Sequence, residues 1–99
     1  MPLKLLIISR SMNIAATIPL PVTLNSLRNR ARGVVSGIDW DVLTTAETQR
    51  LREFGLDEGV EIELLQRATL GGGPLACRIG RMTITFRAHI AQAIHVTLH

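Results

Sequence analysis

The amino-acid sequence predicts a mainly β fold, in which five short strands form a small, strongly bent barrel with one short helix and one helical turn. The chain has 99 residues, of which 46% are hydrophobic and 19% charged, a balance typical of a globular domain. Short runs of alternating apolar and polar residues recur over about 70 residues. No helical pattern is long enough to connect parallel strands, so a doubly wound sheet is not expected.

The chain is predicted to divide into a flexible extension, residues 1–22, and a folded domain, residues 23–99. Pro19 and Pro21 are expected to block a regular element in the extension, because proline has no backbone donor. The apolar run Leu5–Ile8 is shorter than the roughly 7–15 residues of a signal-peptide core. No apolar run approaches the ~20 residues that span a bilayer, so we expect no membrane insertion.

The folded domain is predicted to begin with a helical turn and a strand. Thr23 is placed to start the turn over 24–27, and the strand covers 30–38. Gly33 and Gly37 interrupt this strand and indicate a β-bulge or the close approach of another backbone. The apolar members of the strand are Val34, Val35 and Ile38.

A complete short helix is predicted between Thr44 and Gly55. Thr44 and Glu47 have the spacing of a capping box, in which each side chain bonds the other residue's backbone N–H. Gly55 is placed to take the left-handed conformation that ends a helix. In the resulting Schellman motif, Leu56 is expected to pack back on Leu51.

The second half of the chain is predicted to hold four further strands, two of which form a hairpin, and a helical turn. After a turn at 57–59, the strands cover 60–68, 75–79, 82–86 and 93–98, and the helical turn covers 87–91. A loose turn is expected at Gly71–Pro74, and Gly80-Arg81 forms the two-residue hairpin loop. The predicted inward residues are Val60, Ile62, Leu64, Leu75, Cys77, Ile79, Met82, Ile84, Phe86, Ile94, Val96 and Leu98.

The charges fall into three blocks. The net charge is +3, yet residues 39–63 contain all eight acidic residues, and basic residues dominate 1–38 and 64–99. We expect opposed charged faces, which favour oriented docking on a protein surface. A nucleic-acid-binding barrel is a weaker alternative, because the chain has only three aromatic residues on which bases could stack.

No motif indicates an enzyme or a bound cofactor. No nucleophile sits in a strand-to-helix turn of the hydrolase type. Gly71–Gly73 lacks the Lys-Ser/Thr that follows a phosphate-binding loop, so a hairpin loop is favoured over a nucleotide site. Cys77 is the single cysteine, which excludes an internal disulfide. Its alternation with Leu75 and Ile79 favours a buried apolar role over metal ligation.

Histidines and clustered acids are the candidate metal ligands. His95 and His99 would lie ~13 Å apart on one strand, too far to share a metal ion by themselves. His89 falls in the preceding turn. We therefore favour surface histidines and predict no metal site. The carboxylates, which suit hard divalent cations, are favoured as a solvated strand face with weak metal attraction at most: Asp57, Glu58, Glu61 and Glu63.

The helix-to-strand corner at Gly55-Leu56 is the predicted docking surface, because small barrels bind partners through loops and strand edges. It places Arg50 and Arg52 beside acids and is expected to leave an apolar edge near Leu56, which is predicted to take part in docking. Arg81 and Arg87 flank a hairpin strand and are predicted to form a second patch.

The run Arg50–Ile62 resembles the signature R-L-x-x-(apolar)-G-L-x-x-G of the ferrous iron transport protein A (FeoA) family. Three further segments resemble the family in the expected order: 24–27, 68–75 and 80–96. Two turns depart from the family pattern. Arg28-Asn29-Arg30 replaces Lys-Pro-Gly, and Gly71–Pro74 replaces a Gly-Asp-Pro loop.

This resemblance implies an SH3-like barrel in a cytoplasmic, non-enzymatic protein without a cofactor. It also implies a partner, the membrane ferrous iron transporter FeoB, whose cytoplasmic portion binds guanine nucleotides. The alternative hypothesis is an SH3-like module that binds or senses a transition metal.

Overall fold

The computed structural model describes residues 20–67 and 73–99, which fold around one antiparallel sheet. Its six strands are β1 (Pro21–Thr23), β2 (Arg32–Ile38), β3 (Glu61–Arg67), β4 (Leu75–Ile79), β5 (Met82–Phe86) and β6 (Ile94–Leu98), in the order β1-β6-β2-β3-β4-β5. The α-helices are α1 (Thr45–Glu53) and α2 (Ala88–Gln92), and 3₁₀ helices cover Leu24–Ser26 and Trp40–Val42. The mainly β fold class is confirmed.

One strand more is present than the sequence predicts. β1 begins at Pro21 and pairs with β6, where Pro21 lies opposite Thr97. The expectation that proline blocks a regular element is wrong here, because β1 has a neighbour on one side only and an edge strand tolerates a missing donor. The predicted extension up to residue 19 and the predicted turn residues Gly71 and Gly72 lie outside the described residues.

A single buried cluster fills the space between the bent sheet and the helices. Its members with no exposed surface are Leu24, Leu64, Cys77, Ala91, Ile94 and Val96. The buried role of Cys77 is confirmed. Met82 and Leu98, which are 45% and 38% exposed, were predicted to face inward, and this is wrong. Met82 is the first residue of β5, next to the hairpin loop, and Leu98 is the last residue of β6. At these strand ends the alternating pattern continues, but the core no longer covers the side chains.

The two glycines of β2 have different structural roles. A Cβ atom built on Gly33 would lie 2.5 Å from the carbonyl oxygen of Thr97 and 2.6 Å from a methyl carbon of Val96. β6 therefore passes too close for any side chain at this position. At Gly37 no heavy atom lies within 4 Å of such a Cβ, and the pairing with β6 shifts register between Val35 and Gly37. The predicted close approach and bulge are both confirmed.

The turn before β2 contains the departure from Lys-Pro-Gly noted in the sequence. The Ala31 N–H donates to the carbonyl oxygen of Arg28 at 3.0 Å, and Arg30 has a φ of +75°. A positive φ at this third position defines a type II turn, which favours proline and then glycine at its centre. Asn29 and Arg30 therefore occupy the Pro and Gly positions of the Lys-Pro-Gly pattern that the sequence resembles. Arg30 adopts a left-handed conformation, which is unfavourable for residues other than glycine.

A partly buried arginine on the sheet donates hydrogen bonds to the backbone of residues 25–27. The Arg67 guanidinium, at the end of β3, donates to the carbonyl oxygen of Asn25 at 2.8 Å and also to that of Leu27. Thr23 precedes the 3₁₀ helix as predicted, but its side chain makes no capping bond. The first turn of the domain is thus held by long-range bonds from β3 in addition to its local sequence.

Replacing Gly33 with alanine should destabilise the protein by about 1–3 kcal/mol, the usual cost of overpacking, because the new methyl group would overlap the β6 backbone. Gly37→Ala is the matched control on the same strand and should change stability by less than about 1 kcal/mol. Urea unfolding measures both values. Equal losses in the two variants would contradict the close approach at Gly33.

Replacing Arg30 with glycine should stabilise the protein by about 0.5–1 kcal/mol, because glycine adopts a positive φ without strain. Asn29→Gly is the control. Its φ is not positive, so glycine there only increases the entropy of the unfolded chain and should cost up to about 1 kcal/mol. Thermal unfolding of both variants tests the assignment, which fails if Arg30→Gly melts below the wild type.

Candidate partner-binding surface

Helix α1 is fixed at both ends by the motifs that its sequence predicts. The Glu47 N–H donates to Thr44 Oγ1 at 3.1 Å, and the Thr44 N–H donates to Glu47 Oε1 at 3.0 Å, which completes the capping box. At the other end Gly55 has a φ of +83°, and the Leu56 N–H donates to the carbonyl oxygen of Leu51 at 3.0 Å. These bonds form the predicted Schellman motif, so the ends of α1 are well defined.

One carboxylate joins α1 to α2. The second oxygen of Glu47, Oε2, lies 2.7 Å from His89 Nε2. The hydrogen bond from the Thr44 N–H lowers the pKa of Glu47 below its ordinary value, and the contact with His89 lowers it further. Glu47 therefore serves both the start of α1 and the contact between the two helices.

An open groove of about 330 Å³ lies between α1, the end of β5 and α2. Its floor is apolar and consists of Leu51, Phe54, Phe86 and Ile90. Phe54 and Ile90 are half-buried against the core, so part of each side chain remains accessible. Its charged rim consists of Glu47, Arg50 and Arg87. We call this the α1–α2 groove.

The predicted docking residues do not all lie together. Arg50 and Arg87 both lie at the rim of the α1–α2 groove. The Arg52 guanidinium lies over the Trp40 ring, 4.7 Å from its centroid, and Arg81 is in the hairpin loop. Leu56 is 1% exposed, so the predicted apolar edge at this residue is wrong. The Schellman bond turns Leu56 back into the core beside Leu51.

Sequence reasoning missed the apolar floor of the groove. Phe54 lies within the helix predicted between Thr44 and Gly55, and Ile90 lies within the helical turn predicted over 87–91, but neither was predicted as a docking residue. The spacing of Arg87 and Ile90 in the turn before β6 was an available signal, since residues three apart share a helical face. The approach of this turn to α1 depends on long-range packing, for which the local sequence carries no sign.

The candidate metal ligands lie apart. His95 Nε2 contacts Asp39 Oδ2 at 2.9 Å and His89 Nε2 contacts Glu47 Oε2 at 2.7 Å, so each histidine faces a different carboxylate. In residues 20–67 and 73–99, no three histidine, cysteine or acidic side chains converge. Burial raises the pKa of the Cys77 thiol to about 12, so this side chain stays protonated at neutral pH.

The helices within residues 20–67 and 73–99 are all too short or too polar to span a bilayer.

Comparison with known families decides the identity of the domain. A model of the FeoA domain matches residues 22–98. The chain belongs to the FeoA family. The resemblance read from the sequence is thereby confirmed, and the family is associated with ferrous iron transport. A comparison with curated proteins finds no match.

Solved structures of FeoA proteins share the fold. FeoA from Chlorobium tepidum is 27% identical, with a TM-score of 0.69, and the alignment covers 78% of this chain and 70% of that protein. FeoA from Stenotrophomonas maltophilia, described as an SH3 domain protein and solved with zinc, is 26% identical. Its TM-score is 0.64, with coverage of 79% of this chain and 89% of that protein. The predicted SH3-like fold is confirmed.

A manganese-dependent transcriptional repressor shares the fold at lower identity. It is 21% identical, with a TM-score of 0.71, over 82% of this FeoA-family chain. The chain spans only 43% of the repressor's length. This similarity concerns the fold alone.

Replacing Glu47 with glutamine should make stability less dependent on acid pH. Glutamine can keep the bond to the Thr44 N–H but has no charge. Because folding lowers the pKa of Glu47, the unfolded chain binds more protons near the ordinary value of 4.5. The charge therefore stabilises the fold above that pH, and this contribution is lost as pH falls through the folded-state pKa.

The measurement is the urea midpoint between pH 3 and pH 7. Glu47→Gln should have a lower midpoint than the wild type at pH 7, and the difference should disappear toward pH 3. Glu58→Gln, an exposed carboxylate in the turn after α1, is the control and should follow the wild type throughout. A difference for Glu47→Gln that persists unchanged at pH 3 would contradict the assignment.

Proposed function

We propose that this FeoA-family chain is a cytoplasmic, non-enzymatic accessory protein of ferrous iron uptake. It docks on the cytoplasmic G-protein portion of a FeoB-type transporter and uses the α1–α2 groove to do so. The observation that carries the proposal is the family match over residues 22–98, together with a groove on the same domain that has accessible apolar and basic side chains.

The chemistry of the groove supports docking. Arginine and aromatic side chains contribute a large share of the binding free energy in protein interfaces. Arg50 and Arg87 are exposed at the rim, and Phe54 contributes to the floor. The capping box and the Schellman motif hold α1 in place, so little conformational entropy needs to be lost on binding.

The remaining predicted docking residues have a smaller part in this proposal. Arg52 is engaged with Trp40, and Leu56 lies in the core. Arg81 is exposed in the hairpin loop and does not line the α1–α2 groove. It therefore provides a control with the same charge.

The second candidate function is a transition-metal-binding module. The observation that favours it is the Stenotrophomonas maltophilia relative, which was solved as a zinc complex. In this chain His89 and His95 each face a carboxylate, but the two pairs are separate. Titration with zinc and ferrous ion, compared between the wild type and a variant lacking all three histidines, tests it. If the wild type and the variant bind the metal equally weakly, the histidines are not its ligands.

Docking on the transporter is tested by calorimetric titration of this protein against the isolated cytoplasmic domain. The wild type should bind, and Arg50→Gln/Arg87→Gln should bind about tenfold or more weakly, since loss of interface arginines commonly costs over 1 kcal/mol. Arg81→Gln, with a single charge removed outside the groove, should bind within about twofold of the wild type. Absence of binding by the folded wild type at high micromolar concentration would refute the proposal.

A further inference from the structure

We infer that the α1–α2 groove binds a peptide segment in which acidic side chains flank an apolar one. The inference rests on the proposed docking function and specifies the chemistry of the segment that this function would recognise. Three features carry it: the uncompensated charge of the rim, the apolar floor and the fixed walls.

The rim has a surplus of positive charge. Glu47 is the one carboxylate among the residues that line the groove, and both of its oxygens are occupied, Oε1 by the Thr44 N–H and Oε2 by His89. In the described part of the chain, neither Arg50 nor Arg87 has a carboxylate within 4.0 Å. A guanidinium offers a planar set of donors that fits a carboxylate with two parallel bonds. The complementary ligand is therefore anionic.

The floor selects a ligand that is not charged throughout. Phe54 and Ile90 are half-buried, and Phe86 is 2% exposed beneath them. Covering the accessible parts of these side chains requires an apolar group, worth about 25 cal/mol for each Å² removed from water. At about 330 Å³ the groove is at the lower end of the range of ligand sites, so it suits single side chains of a peptide.

Two other occupants fit the groove less well. Residues 1–19 of this chain contain Lys4 and Arg10 and no acidic residue, so this segment does not complement two arginines. A nucleic acid or polyphosphate would leave the apolar floor unused and would place phosphates beside the Glu47 carboxylate. An acidic segment with an apolar anchor avoids both problems, because its charges reach the arginines while its anchor covers the floor.

A hydrogen bond already joins the two walls in the free protein. The contact between Glu47 and His89 holds α1 and α2 together at 2.7 Å. Because Ile90 follows His89 directly, this contact also helps to position Ile90 relative to the floor residues that α1 contributes. Preorganised sites bind more tightly, since less freedom is lost on association.

The probe is an acetylated and amidated peptide in which glutamates flank one phenylalanine, titrated into the whole protein and followed by NMR chemical shifts. We expect the largest shifts at Phe54, Ile90 and Arg87, and weaker binding as salt screens the charges. Arg50→Gln/Arg87→Gln should weaken binding about tenfold, and Arg81→Gln should stay within about twofold of the wild type. Far-ultraviolet circular dichroism confirms that each variant is folded.

Two control peptides separate the contributions. Alanine in place of phenylalanine should weaken binding several-fold, and so should Ile90→Ala with the original peptide. Lysine in place of the glutamates should abolish binding. The inference is overturned if the original peptide fails to bind the wild type, if the lysine peptide binds equally well, or if Arg81→Gln weakens binding as much as the groove variant.

Failure of the inference can be told apart from failure of the docking function. If the peptide binds in the groove but the transporter domain does not bind the protein, the partner is wrong and the groove chemistry stands. If the transporter domain binds and Arg50→Gln/Arg87→Gln does not weaken it, docking stands and the groove inference is refuted. Sedimentation of the protein alone detects a second copy, whose own acidic turn at 57–58 would then be the occupant and would overturn the proposal of a separate partner.

Discussion

The close approach of β2 to β6 at Gly33 is the constraint on which the rest of the domain depends. β6 lies between β1 and β2 and contributes Ile94 and Val96, two of the most buried side chains in the core. Because no side chain separates the two backbones at Gly33, the sheet can bend tightly around a small core. Helix α2 leads directly into β6, so the position of this strand also determines where α2 lies.

The α1–α2 groove follows from that arrangement. Its α2 wall is placed by β6, and its α1 wall by a helix whose two ends are defined locally. Two apolar residues at the end of α1 differ in burial. Leu56 is buried by the Schellman motif, as its expected packing on Leu51 predicts, whereas Phe54 stays half-buried and contributes to the floor of the groove. The accessible apolar surface is therefore contributed by the helix and not by the chain that leaves it.

Features governed by nearby residues could be predicted from the sequence. The capping box, Gly55, the Gly80-Arg81 hairpin and the burial of Cys77 each depend on a few neighbouring residues or on simple alternation. Features that depend on distant contacts could not. β1 pairs with β6, a strand at the other end of the chain, and the presence of Arg50 and Arg87 at one groove depends on the packing of α2. Of the candidate site, the two arginines were predicted individually, but the surface that they share was not.

The position of β5 at the end of the sheet has a consequence for solubility. In the described structure β5 pairs only with β4, so its other side presents unpaired backbone groups to which another molecule could add a strand. Arg81 and Arg87 lie just before and just after this strand. If two copies paired antiparallel through β5, Arg81 of one would approach Arg87 of the other, and the like charges would repel. The short β5 edge, with an arginine at each end, thus disfavours aggregation while leaving the groove beside it open.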